Sequence, residues 1–208
     1  MTAASDDNLH DKVLAELDQT QKQVNQLTQE LKEVKAKLHQ LVYRDGLSGL
    51  YNHRYFHEMI NKELERSIRY AAPFSLIIFD IDILEELNKT CSPENGELIL
   101  MNVARIVESE VRPTDIAARY SGENFALILP ETNLNGVRTF ARRLCQSVHE
   151  MATIIDGKEV KTTISIGGAT FVPGATKATK DDLLQAVEKA LSDARKNGPN
   201  QIEVVQLT

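Results

Sequence analysis

Residues 9–43 contain neither glycine nor proline and place apolar side chains at alternating steps of four and three. The stripe is Val13, Leu17, Thr20, Val24, Leu27, Leu31, Val34, Leu38 and Leu41, with Thr20 its only polar member. A period of about 3.5 residues, in a segment rich in Gln, Glu, Lys and Leu, dictates a helix with one narrow apolar seam. Leu17, Val24, Leu31 and Leu38 occupy one seam position, and Thr20, Leu27, Val34 and Leu41 the other. This mixture of β-branched and leucine residues predicts a parallel coiled coil, so residues 1–43 read as a homodimerisation stalk. A lone amphipathic helix packed on its own domain is the alternative.

Residues 44–208 leave room for one domain of ordinary size. With 42% hydrophobic and 26% charged residues in 208, the chain is neither disordered throughout nor built on disulfides. The apolar runs at 74–79 and 125–129 fall far short of the roughly 20 residues that span a membrane. The first residues carry Asp6, Asp7 and Asp11 and lack a basic start, so no secretory signal and a cytoplasmic location are expected. Cys91 and Cys145 have no metal-like spacing and suit a reducing compartment. A net charge of -6 argues against a nucleic-acid partner, because that grip depends on excess Lys and Arg.

Gly46, Ser48 and Gly49 break the heptad pattern. The spacing then predicts a helix over 54–70, a buried strand over 74–80, and helices over 83–90 and 95–111. A hairpin of strands 116–120 and 125–129 follows, turning tightly at Ser121–Gly122. A helix over 133–150, a strand over 160–171, a helix over 179–197 and a strand over 201–206 complete the chain. The irregular mixture predicts an α/β (α+β) fold: a mixed, largely antiparallel sheet flanked by helices.

Asp80 ends an apolar strand and Glu123 sits in the hairpin turn, so a sheet can bring both carboxylates to one edge. Oxygen ligands of this kind hold Mg²⁺ together with substrate phosphates, which suits nucleotidyl transfer. Spacing alone leaves open that Asp80 caps a helix and Glu123 is a solvated turn acid. The five histidines are scattered and read as surface or packing residues; even His53 and His57, one helical turn apart, lack a third ligand. Gly167–Gly168 reads as close packing within a strand, since no P-loop residues follow.

Several motifs in order resemble those of the GGDEF domain, the catalytic unit of diguanylate cyclases, over 44–205. Asp45-Gly-Leu-Ser-Gly-Leu-Tyr-Asn52 resembles its DxLTxLxN segment, continued by Arg54 and Phe56. Phe79-Asp-Ile-Asp82 with Asn88 and Gly96 resembles the strand and nucleotide-binding helix pair. Ser121, Gly122, Glu123, Asn124 and Phe125 stand at the signature hairpin, and Thr163-Ile-Ser-Ile-Gly167 resembles the late TxSIG strand. The resemblance implies a nucleotidyl-cyclase or polymerase-palm-like fold in which two GTP-loaded domains face each other. Each 3′-hydroxyl then attacks the partner's α-phosphate to give cyclic di-GMP, with metal ions neutralising charge and assisting deprotonation. By position it implies Asp80, the Ile81 carbonyl and Glu123 as metal ligands, Glu123 also being catalytic. It further implies Asn88 and Glu97 at the guanine edge, Arg195 at phosphate, and Mg²⁺ as cofactor when GTP is bound.

The departures point away from catalysis. Asn124 replaces the fourth-position Glu of the signature, and Glu85 replaces a Lys that helps hold the triphosphate, turning attraction into repulsion. Pro93 and Cys91 alter the GHxxGD stretch, Glu97 moves an acceptor by one methylene, and Pro199 replaces the Arg of a terminal GRN. Arg195 for Lys and Ser121 for Gly are the milder changes. By contrast, Arg112-Pro-Thr-Asp115 keeps the position and spacing of the family's RxxD inhibitory site for cyclic di-GMP. Arg112 supplies paired donors and Asp115 an acceptor for guanine. Arg143 resembles the second arginine that completes this site, with Arg142 its nearest rival.

The sequence thus leads to a dimeric, degenerate, non-catalytic domain that binds cyclic di-GMP and signals to a downstream protein partner. An active diguanylate cyclase inhibited at the same site is the alternative, and a docking surface that binds no nucleotide is a third. The seam generates the first test. Replacing both Leu27 and Leu31 with Asp puts charge into the predicted interface and yields a monomer by sedimentation; a double variant that still sediments as a dimer contradicts the stalk.

Overall fold

The computed structural model describes residues 3–82, 84, 93–175 and 178–207. Two units are distinguished, residues 1–42 and 43–208. The first is formed by helix α1, Ala3–Tyr43. Its seam leucines and valines from Leu17 to Leu41 are exposed, Leu27 at 64% and Leu31 at 53%. Outside the seam, Gln26 donates to Glu30 at 3.0 Å and Gln29 to Glu33 at 3.1 Å, the one-turn spacing that supports a solvated helix surface. No described helix is long and apolar enough to cross a membrane.

The second unit is built on strand β2, Phe74–Ile81, all eight residues of which are buried. Alternate side chains leave a strand on opposite faces, so an unbroken apolar run requires cover on both sides. Phe74, Leu76 and Ile78 pack against Phe56 and Ile60 of α2, His53–Tyr70, and against Leu183, Val187 and Leu191 of α5, Lys180–Lys196. Ile77, Phe79 and Ile81 pack with Ile99 and Val103 of α3, Pro93–Glu110, and Leu144 and Val148 of α4, Leu134–Glu150. Each such buried side chain contributes about 1.5–3 kcal/mol. Polar caps start three of these helices: Asn52 accepts from the Tyr55 N–H, Asn133 from the Gly136 N–H, and Thr179 with Asp182 forms a capping box.

The main sheet runs β1-β3-β4-β2-β7-β8, with β1 Tyr51–Asn52, β3 Ile116–Ser121, β4 Asn124–Pro130, β7 Ile164–Phe171 and β8 Ile202–Gln206. Strand β2 is antiparallel to both β4 and β7, and β3 to β4, while β1 and β8 pair parallel at the two ends. This is the mixed, largely antiparallel sheet flanked by helices that the sequence predicts.

Three local expectations are corrected. The strand predicted over 160–171 is two strands: β6, Lys158–Lys161, pairs with β5, Ala152–Ile155, in a separate hairpin, and β7 begins after Thr162–Thr163. Asp156 at φ 50 and Gly157 at φ 76 make its turn, the left-handed pair that Asp-Gly supplies most readily. The signature hairpin turns on Gly122–Glu123, one residue later than predicted, because Ser121 and Asn124 still pair. Helix α3 starts at Pro93 rather than 95. Most of the helix predicted over 83–90 lies outside the described residues.

Gly167 shows how closely α5 approaches the sheet. A Cβ there meets the Leu191 nitrogen at 2.2 Å and the Val187 carbonyl oxygen at 2.5 Å, both helix backbone. At Gly168 it meets the Val204 side chain at 3.3 Å. Gly167→Ala therefore costs about 3 kcal/mol or more, which lowers the melting temperature of a domain this size by roughly 6–12 °C. Gly168→Ala costs clearly less. Equal melting temperatures for the two variants contradict this packing.

Candidate functional site

Register places the acids. Asp80 pairs with Asn124 of β4 on one side and Ser165 of β7 on the other, which sets Glu123 of the turn beside the end of β2. Asp80, Ile81, Asp82, Glu123, Arg195 and Pro199 line one cleft of about 320 Å³. Asp80 is only 8% exposed. Burial first, and then the negative charges of Glu123 and Asp82, push its carboxyl above the usual range, while Arg195 pulls it back. The Arg195 Nη1 lies 2.9 Å from Asp80 Oδ2. Asp80 falls on the α5 side of the sheet, in phase with Leu76 and Ile78, so the arginine reaches it from the last turn of that helix.

Two residues that the sequence reading did not assign roles hold this edge together. The Asp82 carboxylate accepts from the Thr163 hydroxyl at 2.6 Å, from the Ser165 hydroxyl, and from the Asn200 N–H at 2.8 Å, tying β2 to β7 and to the turn after α5. Arg119 donates to the Gly122 carbonyl through Nε at 3.0 Å and Nη2 at 2.8 Å, and its Nη1 lies 3.3 Å from Asp45. It thereby clamps the hairpin to the loop before β1. Although burial pushes the Asp45 carboxyl up, the Ser48 N–H and hydroxyl and Arg119 more than offset this and hold it below its usual range. The motif positions of Asp45 and Ser48 were visible in the sequence; their contacts with each other and with Arg119 needed the fold.

Asn124 occupies the position where the signature has an acid. Its Nδ2 donates to the Ser121 hydroxyl at 3.0 Å, and its Oδ1 is buried without a hydrogen-bond partner. It lines a neighbouring cleft with Tyr120, Leu191 and Arg195, so a charge at 124 would stand on the same side as Arg195. Oxygen donors of the right chemistry for Mg²⁺ do face the first cleft. The carboxylate that would anchor the ion is, however, already paired with a guanidinium, which an incoming cation has to displace. As built, the residues do not fit a divalent ion.

Glu97 is exposed on the second turn of α3. Asn88, Glu85 and Cys91 lie outside the described residues. Cys145 is buried, its thiol pushed up to about 12 by burial and then by Asp82, which leaves it unreactive. His53 and His57 pack ring against ring at 4.1 Å, and both lie against Tyr120.

A second cluster lies between the C-terminus of α3 and β3. Asp115 Oδ2 accepts from the Arg112 N–H at 2.8 Å, and the Asp115 N–H returns a bond to the Arg112 carbonyl at 3.0 Å. Both residues line a cleft of about 120 Å³ with Glu131, Asn133 and Phe140. Burial raises the Asp115 carboxyl above its usual range, opposed by the Arg112 N–H and charge, by the Thr114 hydroxyl and by the charge of Arg143. Asp115 Oδ1 is buried with no hydrogen-bond partner. Arg143 is held by the Glu110 carboxylate and by the Glu110 carbonyl at 3.0 Å, with its guanidinium 5.3 Å from the Phe140 ring centre. Arg142 instead lines a different pocket with Arg138, Glu203 and Val204. The structure thus brings Arg143, not Arg142, toward Asp115.

Comparison with known proteins identifies the family of the domain. The family model described as "Diguanylate cyclase, GGDEF domain" matches residues 42–201. Diguanylate cyclase A of Treponema denticola is 29% identical over 170 residues, covering 80% of this chain and 45% of that protein. The chain spans less than half the length of the curated relatives it matches. Among solved structures, diguanylate cyclase SiaD of Pseudomonas aeruginosa, in complex with its activator SiaC, is 28% identical. The match covers 97% of this chain and 76% of that one at a TM-score of 0.81. The coiled coil and GGDEF domain of DgcB from Caulobacter crescentus, in complex with c-di-GMP, is 22% identical at a TM-score of 0.76, covering 92% and 98% of the two chains. With the motif order, the sheet topology and the acid-bearing hairpin in agreement, the chain belongs to the GGDEF domain family.

Proposed function

We propose that this GGDEF domain is a dimeric receptor for cyclic di-GMP, bound at Arg112 and Asp115 and completed by Arg143, rather than a useful diguanylate cyclase. The observation that carries the reading is Asp115 Oδ1, a buried acceptor without a donor, beside an arginine in a cleft. A buried polar atom left unsatisfied costs about 1–3 kcal/mol, and the amino and imino groups of a guanine are donors of the kind it lacks. Arg112, exposed and next to it, offers planar paired donors to a guanine edge or a phosphate. Arg143 reaches a ligand by exchanging Glu110, one acid for another.

The catalytic edge supports the same reading from the other side. Phosphoryl transfer depends on preorganised charge around the phosphates. Here Asp80 is engaged by Arg195, Asn124 stands at the signature's fourth position in place of an acid, and Glu85 stands in the sequence where attraction to phosphate is expected. Dimerisation through the exposed α1 seam and a downstream protein partner complete the proposal. The alternative, an active cyclase inhibited at the same site, is favoured by Asp80, Ile81 and Glu123 facing one cleft and by the relatives that carry the cyclase name.

Incubation with GTP and Mg²⁺ tests the choice: the receptor reading expects no accumulation of cyclic di-GMP, and robust turnover by the unaltered protein overturns it. In calorimetric titration Arg112→Ala weakens cyclic di-GMP binding about tenfold or more, roughly 1.4 kcal/mol. Arg143→Ala also weakens it, and Arg142→Ala leaves it unchanged. No binding by the unaltered protein, or equal affinity after Arg112→Ala, removes the receptor and leaves the docking surface.

A further inference from the structure

We infer that Arg195 is a tethered counter-cation that closes the acidic edge of this domain to divalent metal ions. The inference rests on the non-catalytic reading above and deepens it by naming what holds the site shut. Its Nη1 lies 2.9 Å from Asp80 Oδ2, and the Asp80 side chain is 11% exposed while that of Arg195 is 54% exposed. The carboxylate is thus nearly removed from water and its compensating charge comes from the protein itself. A buried carboxylate needs such a partner; stripped of it, the charge is left uncompensated.

The local sequence explains why the arginine turns to Asp80. Arg195 lines both clefts at this edge, one containing Asp80 and Glu123, the other containing Asn124. Position 124 presents a neutral amide that is already donating to Ser121. Lys196, next to Arg195 in the chain, is taken by Asp193 at 2.7 Å. Asp82 already accepts from Thr163, Ser165 and Asn200. Of the two acids that share the first cleft with it, Asp80 and Glu123, Arg195 is paired with Asp80 at 2.9 Å. Substituting arginine at this position is not a neutral exchange of one cation for another: the fork geometry suits a carboxylate, and a divalent ion must displace it before reaching Oδ2.

The test uses the full chain without nucleotide, with Mn²⁺ as probe, read by the loss of its free paramagnetic signal. The unaltered protein takes up no Mn²⁺ at millimolar concentration, and Arg195→Gln binds it at least about tenfold more tightly. Adding Asp80→Asn to Arg195→Gln removes the gain. Thermal melting gives an independent readout: Arg195→Gln melts lower than the unaltered protein in chelator and recovers with Mn²⁺, while the unaltered protein does not respond. Mn²⁺ binding of equal strength with and without Arg195, or none by either, overturns the inference. Because GTP turnover is measured separately, an unaltered protein that binds Mn²⁺ but makes no cyclic di-GMP defeats this inference alone, and one that makes cyclic di-GMP defeats the non-catalytic reading.

Discussion

Strand β2 is buried on both faces and paired on both edges, and that position constrains everything around it. Its apolar run can be hidden only if helices cover the sheet from both sides, which assigns α2 and α5 to one face and α3 and α4 to the other. The same burial makes the end of the strand costly. Asp80 carries a charge into a place with little water, where it must be either matched or protonated. The match comes from α5, the helix whose backbone presses against Gly167 closely enough that a single added carbon does not fit. Packing of α5 and compensation of Asp80 are thus one arrangement, since the contact that seats the helix also delivers Arg195.

The two clusters divide the labour that the fold makes available. The edge of the sheet gathers acids by register, with Glu123 beside Asp80, and on the proposed reading Asn124 and the Arg195 pair deny it the open, metal-ready geometry that phosphoryl transfer demands. The cleft at Arg112 and Asp115 has the opposite character. It retains an exposed guanidinium and an unsatisfied acceptor, the features of a site whose hydrogen bonds are completed by a ligand. The proposed receptor cleft and the acidic edge are built on different segments, the α3–β3 turn and the β3–β4 turn, so that one can change without the other.

Much of this was legible in the sequence because the strongest signals were physical. A run such as Phe74–Asp80 forces a doubly covered strand, and the Gly167–Gly168 pair correctly read as close packing. The small β5–β6 hairpin escaped because its strands are four residues each with mixed exposure, although Asp156–Gly157 marked its turn. Long-range polar contacts were not legible at all. Nothing in local spacing says that Asp82 bonds to Thr163, Ser165 and Asn200, or that Arg119 joins Asp45 to Gly122. The same limit explains Arg195, which reads as a phosphate-binding cation until the fold turns it toward Asp80, and the choice between Arg143 and Arg142, which adjacent positions in sequence leave open.

The central claim is that nucleotide is read at the α3–β3 turn and not at the acidic end of β2. Amide hydrogen exchange with and without saturating cyclic di-GMP tests it most directly, because it reports on both regions in one sample. The account predicts slowed exchange over 110–116 and 139–147 and unchanged exchange over 79–82 and 121–125. Slowed exchange at 79–82 and 121–125, with none over 110–116, contradicts it.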